Sequence, residues 1–282
     1  MSSVLQSTAE FLASSAVKRE RLKFWGIKSG VSLVDQGLTS GASFVMNLLL
    51  ARWLPAEGYG AFAVAFATLL FIAGFHNVLL LEPTSIFGPS THAGQTVSYF
   101  RTQVKVHFFL TVFLSIVLLL LAAGMALFRI HRELVSATLG SGIGFPVILF
   151  LWLVRRMCYV VHRPAIAVWA SAGYFVLLLA GLLALHRVGI MSPAIAMLVM
   201  AGASLAATII PLTMLEMWTT QAENATTCRQ VLRENWTYGR WLVASLRLQA
   251  GDLLQNRLAR LIGQQIHLSN EAAAVILAPI TL

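Results

Sequence analysis

A polar stripe runs through an otherwise apolar stretch near the amino end of the chain. In SLVDQGLTSGASFVMNLLLARWL, residues 32 to 54, the side chains of Ser32, Gln36, Ser40, Ser43 and Asn47 recur every three or four positions, and Asp35 flanks them. On a helix this spacing gathers them on one face, with Phe44, Val45, Leu48 and Leu49 elsewhere on the wheel. Such a face is a hydrogen-bonding wall: it must face water or bond to neighbouring helices. Asp35 adds a charge. A carboxylate at the centre of a bilayer costs about 2.5 to 3.5 kcal/mol on insertion scales, so it needs an aqueous cavity, a basic partner, or a position close to the membrane surface.

Arg155 and Arg156 are the cationic counterpart. Consecutive helical positions point about 100° apart, so at least one of the pair can face the interior of a bundle and hold an anion. Paired arginines at a helix end also serve as an anchor in the headgroup layer, and the sequence leaves both roles open. Smaller polar features punctuate other apolar segments. His76 and Asn77 line a cavity or hydrogen-bond in the packing, and Glu82 before Pro83 closes its segment with Arg101 or a neighbouring helix end as its candidate partner. Gly37 with Gly41, and the run GSGIGF at 140 to 145, read as small residues that let helices approach closely.

The elements that must position these groups follow from composition. Hydrophobic residues make up 58% of the 282, charged residues 11%, and the mean hydropathy is +0.78, which is the composition of a membrane protein. Six segments approach the length of about 20 residues that a bilayer core requires, at 29–53, 59–82, 105–128, 136–160, 164–186 and 190–216. None alternates with the period of a strand, so the fold class is an all-α, polytopic transmembrane helix bundle. The first segment starts late and ends in Arg52-Trp53-Leu54-Pro55 without a small-residue cleavage site, which sets it apart from a signal peptide.

Basic residues set the orientation. With the amino terminus inside, the inner segments carry Lys18, Arg19, Arg21, Lys23, Lys28, Arg101, Lys105, Arg155, Arg156, Arg163, Arg229, Arg233 and Arg240, against Arg52, Arg129, Arg132 and Arg187 outside. The net charge of +9 is mostly topological, and no basic patch with interleaved aromatics points to nucleic acid. Cys158 and Cys228 both fall on the inner side, where a disulfide is not expected. The histidines are scattered without metal-ligand spacing, and no Gly-rich loop precedes a Lys-Ser/Thr pair, so no metal, cofactor or nucleotide-driven motor is expected.

Three phrases carry a resemblance. LLLARWLPAEGYGAFAVAFATLLF (48–71), with its Ala51-Arg52-Trp53-Leu54-Pro55-Ala56-Glu57-Gly58-Tyr59-Gly60 core, LLLEPTSIFGPS (79–90) and LWLVRRMCYVVHRP (151–164) occur in that order. Together they resemble the Wzx-type polysaccharide flippases of the multidrug/oligosaccharidyl-lipid/polysaccharide (MOP) exporter superfamily, over residues 25–216 and more weakly beyond. The resemblance implies a six-helix amino-terminal lobe of a MATE/flippase-like fold in a bacterial inner membrane, with a cytoplasmic tail at 1–28 and the lobe at 29–216. A cytoplasmic interlobe linker at 217–240 and the start of a truncated second lobe at 241–282 follow. In family terms a polar helix at 241–264, with Asp252 and Arg257, would face the lumen; its composition equally suits an amphipathic helix lying on the membrane. If nothing follows, a single lobe would have to dimerise to form a two-lobed cavity.

The implied activity is movement of a polyprenyl-pyrophosphate-linked oligosaccharide between leaflets for surface polysaccharide assembly, without catalysis and alongside other polysaccharide-assembly proteins. Asp35, Gln36, Asn47, Arg155, Arg156, Asp252 and Arg257 are the candidate cavity residues. An ion-coupled drug exporter of the same superfamily, a membrane-embedded enzyme of glycan assembly and a non-catalytic scaffold are the alternatives. The enzyme would be expected to carry clustered acids or histidines in a long loop, and the loops at 83–104 and 217–240 have none.

Overall fold

The structure, a computed structural model, describes residues 30–215 and 227–241. Asp252, Arg257, the amino tail and the segment 242–282 lie outside the described residues, as does most of the linker's first half. All regular structure among the described residues is helical. Helix α1 covers 30–53 and α2 runs Ala56–His76. A π-helical turn, Asn77–Leu81, joins α2 without a break to the short α3, Glu82–Phe87. After a tight connection come α4 (Thr96–Leu127), α5 (Arg132–Val160), α6 (Pro164–Val188), α7 (Pro193–Met214) and finally α8 at 228–241.

Five of these stretches are long and apolar enough to cross a membrane: Ala56–Phe87, Thr96–Leu127, Arg132–Val160, Pro164–Val188 and Pro193–Met214. The chain is a multi-pass membrane protein with an all-α bundle fold. Helix α1 is the sixth long helix, and it carries the polar stripe. The boundaries differ from the hydropathy reading at the second and fourth helices of the chain. Glu82-Pro83 does not end the second span, because the π turn shifts the hydrogen-bond register just before the proline and the helix continues to Phe87. Helix α4 starts nine residues before the apolar run, at Thr96, because its polar first turns are buried by α8 rather than exposed to lipid.

Local chemistry sets the ends. Pro164 and Pro193 stand at the first turns of α6 and α7, where a missing N–H costs nothing. Ser192 caps α7, its hydroxyl accepting from the Ile195 N–H at 3.3 Å. Gly189 terminates α6 with φ 78°, a left-handed conformation that glycine adopts without strain.

Helix α5 is the centre of the bundle and packs on α2, α4, α6 and α7. The largest buried cluster joins Met46 and Leu50 of α1, Phe62 and Leu69 of α2, Phe145 and Leu149 of α5, Leu178 of α6 and Met197 of α7. The glycines of GSGIGF make the approach of α7 close, as the sequence indicated: a Cβ on Gly140 would lie 2.8 Å from the Ala194 backbone, and one on Gly144 3.3 Å from the Met197 carbonyl. Gly37 and Gly41 are different. Open space surrounds both, so the expected close contact there is not made among the described residues. Outward-facing Phe71, Phe109, Phe113, Leu120 and Trp169 give the bundle an apolar exterior suited to lipid.

Proline inside α5 is accommodated from the neighbouring helix. Pro146 cannot donate to the Gly142 carbonyl one turn earlier, and the Ser115 hydroxyl of α4 donates to that carbonyl instead. Two turns away on the same face of α4, His107 donates through Nε2 to the Pro146 carbonyl at 3.0 Å. That fixes its Nδ1 as an acceptor, so His76 Nε2 donates to it at 2.9 Å. His76 is thus a packing histidine, consistent with one of the two sequence readings.

Candidate functional site

The polar stripe of α1 lines a cleft of about 680 Å³ whose other walls come from α2, the π turn and α5. Ser32, Asp35, Gln36, Thr39, Ser40 and Ser43 line it from α1. Asn77 and Leu81 face them from the π turn, and Trp152, Arg155, Arg156 and Tyr159 from α5. Gln36 and Ser40 are exposed, so the cleft is open rather than sealed.

Asp35 is the most highly connected group at the site. Its carboxylate accepts from Arg155 Nη2 at 2.7 Å and from the Tyr159 hydroxyl at 2.6 Å, both on Oδ2. The Ser171 hydroxyl of α6 donates to Oδ1. With a side chain only 4% exposed, Asp35 would be prohibitively costly alone; three donors, one of them cationic, make its burial tolerable. Asp35 therefore ties α1 to α5 and α6. Of the sequence alternatives, the basic partner is realised, and it is realised at the wall of the cleft, which Asp35 lines.

The two arginines divide the roles that were open for both. Arg155 is 13% exposed and its charge is matched by Asp35, so it is not a headgroup anchor. Arg156, next in sequence, points to the other wall. It is 34% exposed, donates to the Asn77 side-chain oxygen at 3.3 Å, and stands 3.8 Å from a Glu82 carboxylate that is itself 36% exposed. Asn77 also donates to Glu82 at 3.4 Å. A loose, half-solvated pair of this kind leaves Arg156 with donors to spare for an incoming anion.

The π turn is what places Asn77 and Glu82 opposite Arg156. Five residues that would otherwise continue an α register bond i to i+5, with the Glu82 N–H reaching the Asn77 carbonyl. Such turns are concentrated at functional positions. Glu82 meets Arg156, near the carboxyl end of α5, which is the neighbouring-helix-end alternative of the sequence reading and not the Arg101 pairing.

Other candidates fall elsewhere. Asn47 does not line the cleft; its amide donates to the Ser43 carbonyl of its own helix at 2.8 Å. Arg52 and Glu57, for which the resemblance to the family phrase implies a structural role together, are exposed and form no ion pair with each other, while the adjacent Trp53 stacks on His186 with ring centres 4.0 Å apart. Tyr159 and Ser171 are members of the site that sequence reasoning passed over. Tyr159 could have been found from its position four residues after Arg155, which puts both on one helical face. Ser171 offered only the weak signal of a small polar residue in an apolar helix.

Among the described residues no group of three or more His, Cys, Asp or Glu side chains could hold a metal ion. The chemistry of the cleft is that of a polar, weakly cationic binding wall. Comparison of the chain with protein-family models, with curated proteins and with solved structures gives no match.

Proposed function

We propose that this protein is a membrane transporter that moves polyprenyl-pyrophosphate-linked oligosaccharide units across a bacterial inner membrane for surface polysaccharide synthesis. The observation that carries this reading is the cleft itself: a hydroxyl- and amide-lined wall beside an incompletely paired Arg156, within a bundle whose exterior is apolar. A glycan crossing hydrocarbon needs hydrogen-bonding partners to replace water, and its pyrophosphate needs a cation that can release it again. Arg156 meets the second requirement better than Arg155, whose charge is already neutralised.

The three phrases around Arg52, Glu82 and Arg155 support the same reading, with the amino terminus cytoplasmic and alternating access against a facing lobe or a second copy. A cation-coupled drug exporter would need an acid free to exchange its ion. Asp35, the buried acid of the cleft, has both oxygens engaged, which disfavours that alternative.

The test is to delete the gene, extract membrane lipids and quantify polyprenyl-linked oligosaccharides by leaflet, using a membrane-impermeant glycosidase. Accumulation on the cytoplasmic leaflet, reversed by returning the gene, is expected. No accumulation would sink the reading.

A further inference from the structure

We propose that α8 is an anionic-lipid site: Arg229, Arg233 and Arg240 bind lipid phosphates in the leaflet on their side of the bundle, with Leu232 and Trp236 seated beside them at the acyl boundary.

Helix α8 is fixed on the bundle by one face. Val231, Asn235 and Gly239 are buried there. Asn235 exchanges amide hydrogen bonds with Gln103 of α4, at 3.0 and 3.4 Å. Glu234 meets His92 at 3.1 Å, and a Cβ on Gly239 would lie 2.9 Å from the Leu79 side chain. The helix is therefore docked against the π turn, α3 and the first turns of α4, at one end of the bundle.

Its remaining faces are ordered. Next to the docked face come Leu232 and Trp236, 41% and 56% exposed, one helical turn apart. Beyond them Arg229, Arg233 and Arg240, at i, i+4 and i+11, form one exposed stripe. Like charges at i, i+4 repel, so this stripe favours an anion between its members. The acid of α8, Glu234, is engaged by His92 and Gln230, and no ion pair among the described residues involves the three arginines. Docked face, apolar flank with a tryptophan, then cations is the arrangement of an interfacial helix. Because the helices α8 docks on cross the bilayer, the charge-complementary surface beside it is the lipid headgroup layer.

The experiment uses the full chain, reconstituted in an equal mixture of phosphatidylcholine and phosphatidylglycerol, then stripped with neutral detergent; retained lipid is quantified by mass spectrometry. Retained lipid enriched in phosphatidylglycerol is expected. The triple variant R229Q/R233Q/R240Q should lose that enrichment, by roughly five-fold per arginine removed. W236A, which keeps the charges, should lower total retention while leaving the preference for phosphatidylglycerol. If the triple variant does not purify, R229Q and R233Q singly should each give a partial loss. A wild-type ratio equal to the bulk mixture, or enrichment that survives the arginine changes, overturns the proposal. So does arginine-dependent binding of soluble polyglutamate without lipid enrichment, which would assign this face to an acidic protein segment.

Discussion

Arg155 on α5 and Asp35 on α1, 120 residues apart in sequence, meet at 2.7 Å with both side chains largely buried. Removing one partner leaves the other charge uncompensated in a low-dielectric interior, which costs about 3 to 5 kcal/mol. Asp35→Ala and Arg155→Ala should each lower the yield and thermal stability of detergent-purified protein. The double variant D35A/R155A should be less damaged than the sum of the singles, as a thermal-shift double-mutant cycle would register. Additive losses would mean that the pair does not act as one unit.

Arg156→Gln should behave differently. The side chain is one-third exposed and held only by Asn77 and a Glu82 oxygen at 3.8 Å, so protein level and melting temperature should stay close to wild type. Export of the polysaccharide should fall about ten-fold or more, the loss expected when a charge-assisted contact to an anion is removed. Quantifying surface polysaccharide at matched protein level checks this, and unchanged export would remove Arg156 from the site.

Gly140 and Gly37 offer a paired test of packing. A side chain at Gly140 meets the Ala194 backbone at 2.8 Å, and backbone cannot move aside as a flexible side chain does. Gly140→Val should destabilise the bundle by about 1 to 3 kcal/mol. Gly37→Ala, with open space around it, should be neutral or slightly stabilising in the same thermal-shift measurement.

How much of this was legible in the sequence depends on the range of the interaction. The helical fold was readable because lipid demands long apolar segments, and the α1 stripe because its spacing repeats within one helix. Small residues at 140 to 144 announced close packing, while the same signal at Gly37 and Gly41 finds no neighbour among the described residues, since glycine spacing does not say whether a neighbour is there. Pairings across helices were not readable. Asp35 had several arginines to choose from, and of the two alternatives for Glu82, Arg101 or a neighbouring helix end, the sequence did not select the end of α5. Nothing in NVLLL distinguishes five residues in π register from five in α register. Arg155 and Arg156 were inseparable until their partners, 100° apart on the wheel, were located.

Native cysteines report the orientation. Cys228 is exposed at the start of α8, whereas Cys158 is buried in α5. A membrane-impermeant maleimide should label Cys228 only after the cells are permeabilised, and C228S should abolish the signal. Labelling of intact cells at Cys228 would reverse the topology proposed from the basic residues.

The most direct test of the transport account is made with purified protein in proteoliposomes carrying a polyprenyl-linked oligosaccharide, with an impermeant glycosidase added outside. Glycan initially protected in the inner leaflet should become cleavable faster with wild-type protein than in empty liposomes, and R156Q at equal density should lose most of that acceleration. Wild-type vesicles no faster than empty ones, or R156Q as fast as wild type, would contradict the account.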